Sequence, residues 1–334
     1  MLLERDVVGN QQDWAQFITL SDEFEHPLLR MLPVGTKPVN VLYQYQADSY
    51  DAPQPNAWVD GKDWDIFKSA GKNRAELKAR VQWFINTSAV SKLGQDVSNA
   101  AGVADELARE IPKKLFELAR EMECTFCGIQ EAAEDDGATG NKTRSILNWI
   151  LSTAQALYPV PAAFRTPAAS IYSGTKANLI ENAVRAVLQS QWETTGSKAT
   201  KMALVGPELK ERFADFILYV PTDLSTQRSS VQSNRDLSNK ELSFMVDVYA
   251  SDFGRIELHL TNWLAHANFG GTAGQNDWYG AILGLKMWEL RWNQKPTVYK
   301  PEFKGGSYKA AMDTINMLVC KSPLGEAAIK PSDA

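Results

Sequence analysis

Residues Ser98 to Cys127, SNAAGVADELAREIPKKLFELAREMECTFC, decide how this chain is read. Apolar side chains fall at Ala104, Leu107, Ala108, Ile111, Leu115, Leu118, Ala119, Met122 and Phe126, in steps of three, one, three and four that draw one stripe along a helix. Ser98 is placed to cap its N-terminus, and Asp105 and Glu106 lie early enough to favour the positive end of the helix dipole. Asp105 and Arg109, Glu110 and Lys114, and Lys113 and Glu117 make charged pairs at helical spacing on the opposite face. At about 1.5 Å per residue the element reaches roughly 40 Å, longer than a typical globular helix. Pro112 removes one backbone donor inside it, so a kink or a split is expected there. The stretch reads as a spine.

The chain ahead of the spine alternates. Residues 1–38 carry a short amphipathic patch at Trp14, Phe17, Ile18 and Leu20, and then an extended path punctuated by Pro27, Pro33 and Pro38. Val39, Val41, Tyr43 and Tyr45 recur at the strand period. Residues 48–73 are polar and turn-rich. A second strand follows, with Leu77, Ala79, Val81, Trp83 and Ile85 expected on one face and Glu76, Lys78, Arg80 and Gln82 on the other. Strand, long polar loop, strand reads as a projecting hairpin. A hairpin of this composition cannot bury enough of itself to stand alone, so it must lie on something else. That requirement points to an assembly subunit.

Beyond the spine, residues 131–144 form a polar, glycine-bearing loop, and Ser145 to Leu157 supply a buried piece. Prolines 159, 161 and 167 mark an irregular wrap. A helix capped by Thr175 is expected to run through Trp192, with Leu179, Ile180, Ala183, Val184, Val187 and Leu188 as its stripe. Lys201 to Val205 is a short apolar strand, and Pro207 opens a helix over 207–216. Helix, strand, helix suggests a small α/β layer. Phe244 to Leu260 reads as a hairpin whose Gly254 can take positive φ. A glycine-rich loop spans 268–280. Ile282 to Trp292 and Ala310 to Val319 are expected as two last strands, followed by a loose tail of about a dozen residues.

Composition bounds the function. The 334 residues are 44% hydrophobic and 22% charged, ordinary for a large folded chain. A net charge of −5 disfavours a protein whose task is to grip nucleic acid phosphates. No apolar run is long enough to span a membrane, and the amino end lacks the basic region and apolar core of a secretion signal. Three cysteines make no even disulfide framework and suit a reducing compartment. Cys124 and Cys127 form a lone CxxC at the end of a helix, whereas redox pairs usually open one, where the dipole lowers the thiol pKa. His259 and His266 fit no metal-ligand spacing with them, and His26 lies alone in the proline-rich path. Gly270 to Gly274 has no lysine after it and is not a phosphate loop. Glu131, Glu134, Asp135 and Asp136 lack cation-loop spacing, and no nucleophile–histidine–acid set can be placed. The sequence holds no recognisable active site.

Taken together the segments resemble the major capsid proteins of tailed bacteriophages, in a branch named for an elongated-head podovirus of enteric bacteria. The resemblance covers about residues 15–325. It rests on Asp48-Ser49-Tyr50-Asp51-Ala52-Pro53, on Asn86-Thr87-Ser88-Ala89-Val90-Ser91, on DELAREIPKKLFELAREMEC within the spine, on Arg144-Ser145-Ile146-Leu147-Asn148-Trp149-Ile150, on Val246 to Gly254, and on Trp288-Glu289-Leu290. The 246–254 block is the most specific.

The resemblance implies an α+β protein with the HK-ninety-seven-like capsid fold. Residues 1–47 would be an N-terminal arm and 48–90 an extended E-loop. Residues 91–170 and 281–325, including the spine 98–127, would form a peripheral domain, and 171–280 an axial α/β domain. It further implies a structural, non-enzymatic subunit that self-assembles into hexamers and pentamers enclosing packaged dsDNA. DNA contact would be non-specific and no cofactor or membrane is implied. Portal, scaffolding and cement proteins would be further partners, with assembly in the host cytoplasm. No propeptide-like helix precedes the arm, so a scaffold is expected as a separate protein. Trp58, Trp64, Phe67, Lys68, Lys72, Arg74 and Arg80 are the residues expected to touch neighbouring subunits. Covalent crosslinking through Lys68 or Lys72 is not expected, since nothing marks an acceptor. The alternatives are a bacterial nanocompartment shell of the same fold, or a redox or metal-binding enzyme built on the CxxC.

Overall fold

The computed structural model describes residues 26–51, 53, 55–63, 74–96, 105–151, 157–216, 247–272, 274, 276–303 and 305–333. The chain divides into two compact units. Among the described residues, the first takes in those of Phe84–Arg120 and Pro296–Thr314, and the second those of His26–Trp83, Glu121–Lys295 and Ile315–Ala334. In order, the elements are α1 (Pro27–Met31), β1 (Leu42–Ala47), β2 (Ala75–Arg80), β3 (Gln82–Ser91), α2 (Lys92–Asp96), α3 (Glu106–Cys127), α4 (Ile146–Leu151), β4 (Ile171–Tyr172), α5 (Glu181–Thr195), β5 (Lys201–Val205), α6 (Pro207–Asp215), β6 (Val248–Ser251), β7 (Gly254–Leu260), β8 (Gly280–Leu283), β9 (Trp288–Tyr299), β10 (Ser307–Cys320) and β11 (Ala327–Ile329).

The expected spine is α3, 22 residues long, and it runs through Pro112 without splitting. Proline removes a single ladder bond, and the neighbouring turns hold the helix together. Ser98 lies outside the described residues. The capping acceptor seen is Asp105, whose Oδ1 takes the Ala108 amide at 2.9 Å and the Gln95 side chain at 2.7 Å. These bonds hold the Asp105 carboxyl below its usual range. Charged pairing on the exposed face is mainly i,i+3: Arg109 with Glu106 at 3.1 Å, Lys113 with Glu110 at 3.7 Å and Lys114 with Glu117 at 2.6 Å. The helix is buried mostly over its C-terminal part, at Leu118, Met122, Phe126 and both CxxC cysteines. In the first unit Asn86 of β3 reaches Glu117 of α3 at 3.4 Å.

The second unit is built on a mixed sheet. Among the described residues its six strands run in the order β4-β11-β8-β5-β7-β6. β5 lies parallel to β7, with Lys201 opposite Ile256, and antiparallel to β8, with Ala203 opposite Ile282. All five residues of β5 are buried, as its short continuous apolar run requires. Helices α5 and α6 supply Leu179's neighbours Val184, Val187 and Leu188, together with Leu209 and Phe213, to a core shared with Ala203, Val205, Ile256, Leu258, Ile282 and Ile329. Helix α5 begins at Glu181, later than expected, because residues 176–178 form a separate 3-10 turn, and it ends on Gly196 in the left-handed region at φ 64.

Three expectations need correction. The last residues are no loose tail: β11 lies between β4 and β8, and Ala327, Ala328 and Ile329 are fully buried. Residues 282–292 are not one strand. A 3-10 turn over Leu285–Met287 separates β8, in the mixed sheet, from β9, which pairs in the order β3-β10-β9. The alternation through 77–85 also changes phase. Leu77, Ala79 and Val81 are buried, but Trp83 and Ile85 are exposed at 59% and 46%, and Phe84 takes the inward position. Val81 stands between β2 and β3 and donates its amide to Val41, and the side that faces inward switches there.

Candidate assembly surface

The feature with the clearest outward reach is the hairpin of β1 and β2. Its strands are antiparallel, Leu42 opposite Arg80 through Ala47 opposite Ala75. Period-two alternation puts Tyr43, Tyr45, Leu77 and Ala79 on one face and Gln44, Gln46, Glu76 and Lys78 on the other. The aromatic face is held by its own subunit. Tyr43 and Tyr45 stack at 5.4 Å, and the Arg291 guanidinium lies 4.2 Å from the Tyr43 ring. The Tyr45 hydroxyl donates to the Cys320 carbonyl, and burial pushes this phenol well above its ordinary pKa.

The polar face is pinned at one point. Arg80 donates to Asn141 Oδ1 at 2.5 Å, to Glu134 Oε1 at 2.7 Å and to the Tyr158 hydroxyl at 3.1 Å. Tyr158 also donates to Glu134, and its ring lies 5.8 Å from the Arg80 guanidinium. Further out the hairpin is open. Gln44, Tyr45, Gln46, Arg74, Ala75 and Glu76 line a groove of about 550 Å³. Arg74 meets Asp48 at 3.5 Å, with both side chains half-exposed. Tyr50 is fully exposed, Val59 largely so, and Trp58 is 48% exposed with its indole donating to Asn56 at 2.9 Å.

Of the residues expected at intersubunit contacts, Trp58 and Arg74 lie on this open part. Arg80 is turned onto its own chain. Trp64, Phe67, Lys68 and Lys72 lie outside the described residues. Sequence reading did not find Glu134, Asn141 or Tyr158, which stand 54 to 78 residues from Arg80 and share no motif with it.

Several further polar groups are buried in the second unit. Cys124 and Cys127 are buried, and burial, with Glu123 and Cys124 nearby, raises the Cys127 thiol far from the thiolate form that redox or metal chemistry needs. Among the described residues no three metal-ligating side chains converge, and no helix is long and apolar enough to cross a membrane. His259 is half-buried within β7. Glu123 is fully buried and accepts the first amides of α1, Leu28 at 2.8 Å and Leu29 at 2.9 Å. Glu326 is fully buried beside the Gly284 amide at 2.9 Å, and Lys201 on β5 is also buried.

The family model described as SU10 major capsid protein matches residues 3–316. The chain belongs to the SU10 major capsid protein family. As such it is a structural protein of the phage virion, the subunit of the capsid. Solved phage structures share the fold of this SU10-family protein at low identity. The capsid of cyanophage P-SCSP1u is 8% identical with a TM-score of 0.62, covering 100% of this chain and 98% of the other. A structure from Mycobacterium phage Bobi is 9% identical with a TM-score of 0.59, covering 99% of each chain. The capsid of Myoviridae phage XM1 is 13% identical with a TM-score of 0.57, again covering 99% of each. No curated protein matches the capsid protein. The HK-ninety-seven-like capsid fold expected from the resemblance is the fold found.

Proposed function

We propose that this capsid protein assembles into hexameric and pentameric capsomers, with the 48–90 hairpin as the element that lies on a neighbouring subunit. One observation carries the reading. The stem of the hairpin is tied to its own chain through Tyr45, Arg80 and Arg291, while Tyr50, Trp58 and Val59 further out stand exposed. Apolar and aromatic side chains left in water at the end of an anchored strand pair gain burial when they dock on a neighbouring molecule. In the same reading residues 1–47 are the arm, 91–170 and 281–325 the peripheral domain and 171–280 the axial domain. The role is architectural, without catalysis. Portal, scaffolding and cement proteins are separate partners, and the net charge of −5 suits non-specific contact with packaged DNA. The test is to replace residues 55–73 by a short glycine–serine turn. We expect a folded, soluble subunit that closes no shells under negative-stain electron microscopy. Normal shells from that variant would overturn the reading.

A further inference from the structure

Arg80 and Gln82 flank Val81, the point where the inward face of the strand changes phase, and both are bonded to the same stretch of chain. Arg80 reaches Glu134 at 2.7 Å and Asn141 at 2.5 Å. The Gln82 side-chain oxygen accepts the Thr143 amide at 3.0 Å and the Gln130 side chain at 2.8 Å. Gln130 in turn donates to the Thr143 carbonyl at 2.8 Å, which closes a ring of bonds among Gln82, Gln130 and Thr143. That stretch is itself fastened to the body of its unit. The Leu318 amide of β10 donates to Thr143 Oγ1 at 3.2 Å, the Ser145 amide to the Gln130 carbonyl at 3.1 Å, and the Ile129 amide to the Phe269 carbonyl at 2.9 Å.

Tyr158 completes the arrangement from a third segment. Its backbone sits in the left-handed region at φ 55, which a bulky residue adopts only when its surroundings hold it there. There its hydroxyl bonds both Arg80 and Glu134. Arg80 is buried to 12% exposure, so its fork of donors is fixed in direction, whereas a lysine would offer one point charge. At Val81 the chain passes from the β1–β2 pair into the separate sheet that holds β3, so no ladder common to both sets the direction of the hairpin. Bonds to residues on either side of that point supply the missing constraint.

We propose that Arg80 and Gln82 are positioning residues that clamp the strand at Val81 to the 130–143 loop and thereby aim the hairpin before a neighbouring subunit is met. The proposal rests on the reading that the hairpin lies on a neighbour. Its chemistry is that of preorganisation: a hairpin already held in one direction loses less freedom on docking than one free to swing.

The test compares Arg80→Ala, Arg80→Lys and Glu134→Gln with the parent subunit. Two readouts are taken: amide hydrogen exchange of the unassembled protein, and shells by negative-stain microscopy. We expect Arg80→Ala to speed exchange at least tenfold in 42–47 and 75–80 while leaving β5, β7 and β8 unchanged, and to give few or malformed shells. Arg80→Lys should fall between parent and alanine variant, because it restores charge without the fork. A side chain with only a stabilising role would instead raise exchange throughout its unit. Should Arg80→Ala not fold, Glu134→Gln carries the test, since it removes an ion pair at a half-exposed side chain. Unchanged exchange in the hairpin stem, or faster exchange with normal shells, overturns the clamp. The 55–73 replacement separates the two ideas, because normal shells from it defeat the docking reading while the exchange experiment still decides whether the clamp exists.

Discussion

Glu123 shows what burial does to a single side chain. It lies one residue beside the stripe of the spine, between Ala119 and Phe126 at helical spacing, and nothing in the sequence separates it from the solvated glutamates around it. In the fold it is fully buried, caps α1, and has the Cys127 thiol 4.0 Å from Oε1, with Cys124 also near. Burial raises its pKa from the ordinary 4.5 to about 7, against the pull of the Leu28 and Leu29 amides. A raised carboxyl binds more protons folded than unfolded, so its contribution is full below about pH 4.5 and is lost as pH rises through about 7. At about 1.4 kcal/mol per pKa unit the loss is about 3 kcal/mol. Glu326 acts with the same sign over a wider window, since burial carries it to about 8 despite the Gly284 amide, the Trp288 indole and Lys201. Glu123→Gln keeps an acceptor and cannot ionise. Urea unfolding of the unassembled subunit at pH 5 and pH 8 should show a smaller drop in stability for the variant than for the parent. An equal drop would contradict the assignment.

At the scale of elements, local pattern succeeded where one neighbour decides the outcome. β5, α3 and α6 came out close to expectation because a short apolar run, a single stripe and a proline at the first helical turn each carry their own signal. The pattern failed at Val81 and at 285–287, where a strand ends or changes face to meet a different sheet. Periodicity records alternation and holds no information on where the partner strand stops. The join between β5 and α6 gives a sharp test. Gly206 precedes Pro207 and donates to the Tyr279 carbonyl at 3.0 Å, and a Cβ there would lie 2.3 Å from the Asp277 carbonyl oxygen and 2.5 Å from that of Asn276. Both obstacles are backbone, so the contact cannot be relieved by a rotamer change. Gly206→Ala should cost about 1–3 kcal/mol, typical of overpacking, read as a lower urea midpoint. Gly137→Ala is a poor control because of its φ of 82, whereas Gly140 has open space and should be near neutral.

At the scale of the whole molecule, the last strand among the described residues ties β4 into the mixed sheet. β4 reaches the six-stranded sheet through β11, with Ala328 opposite Ile171 in parallel and opposite Ala281 antiparallel. The Lys330 amide adds a bond to the Tyr172 carbonyl at 2.8 Å. A chain ending at Gly325 should therefore lose β4 with β11 and unfold without the parent's cooperativity. One ending at Lys330 should keep both strands and unfold much as the parent does. Calorimetry of the two truncations checks this, and parent-like unfolding of the shorter chain would refute it.

Much of this protein was open to sequence reasoning alone. The spine follows from its stripe, the two hairpin strands from alternating runs around a polar loop, the α/β layer from helix, strand and helix, and the capsid class from short blocks spread over most of the chain. These are local signals, set by side-chain spacing within about 30 residues. The tertiary structure alone decided that Ala327–Ile329 is a central strand, that Glu123 and Glu326 are buried carboxyls, and that Arg80 faces its own chain at Glu134, Asn141 and Tyr158. Each depends on contacts between residues tens to hundreds of positions apart. Three apolar residues near a terminus, or one arginine on a strand, look alike in sequence whether they are exposed or enclosed. Only the partners that the fold brings to them settle which.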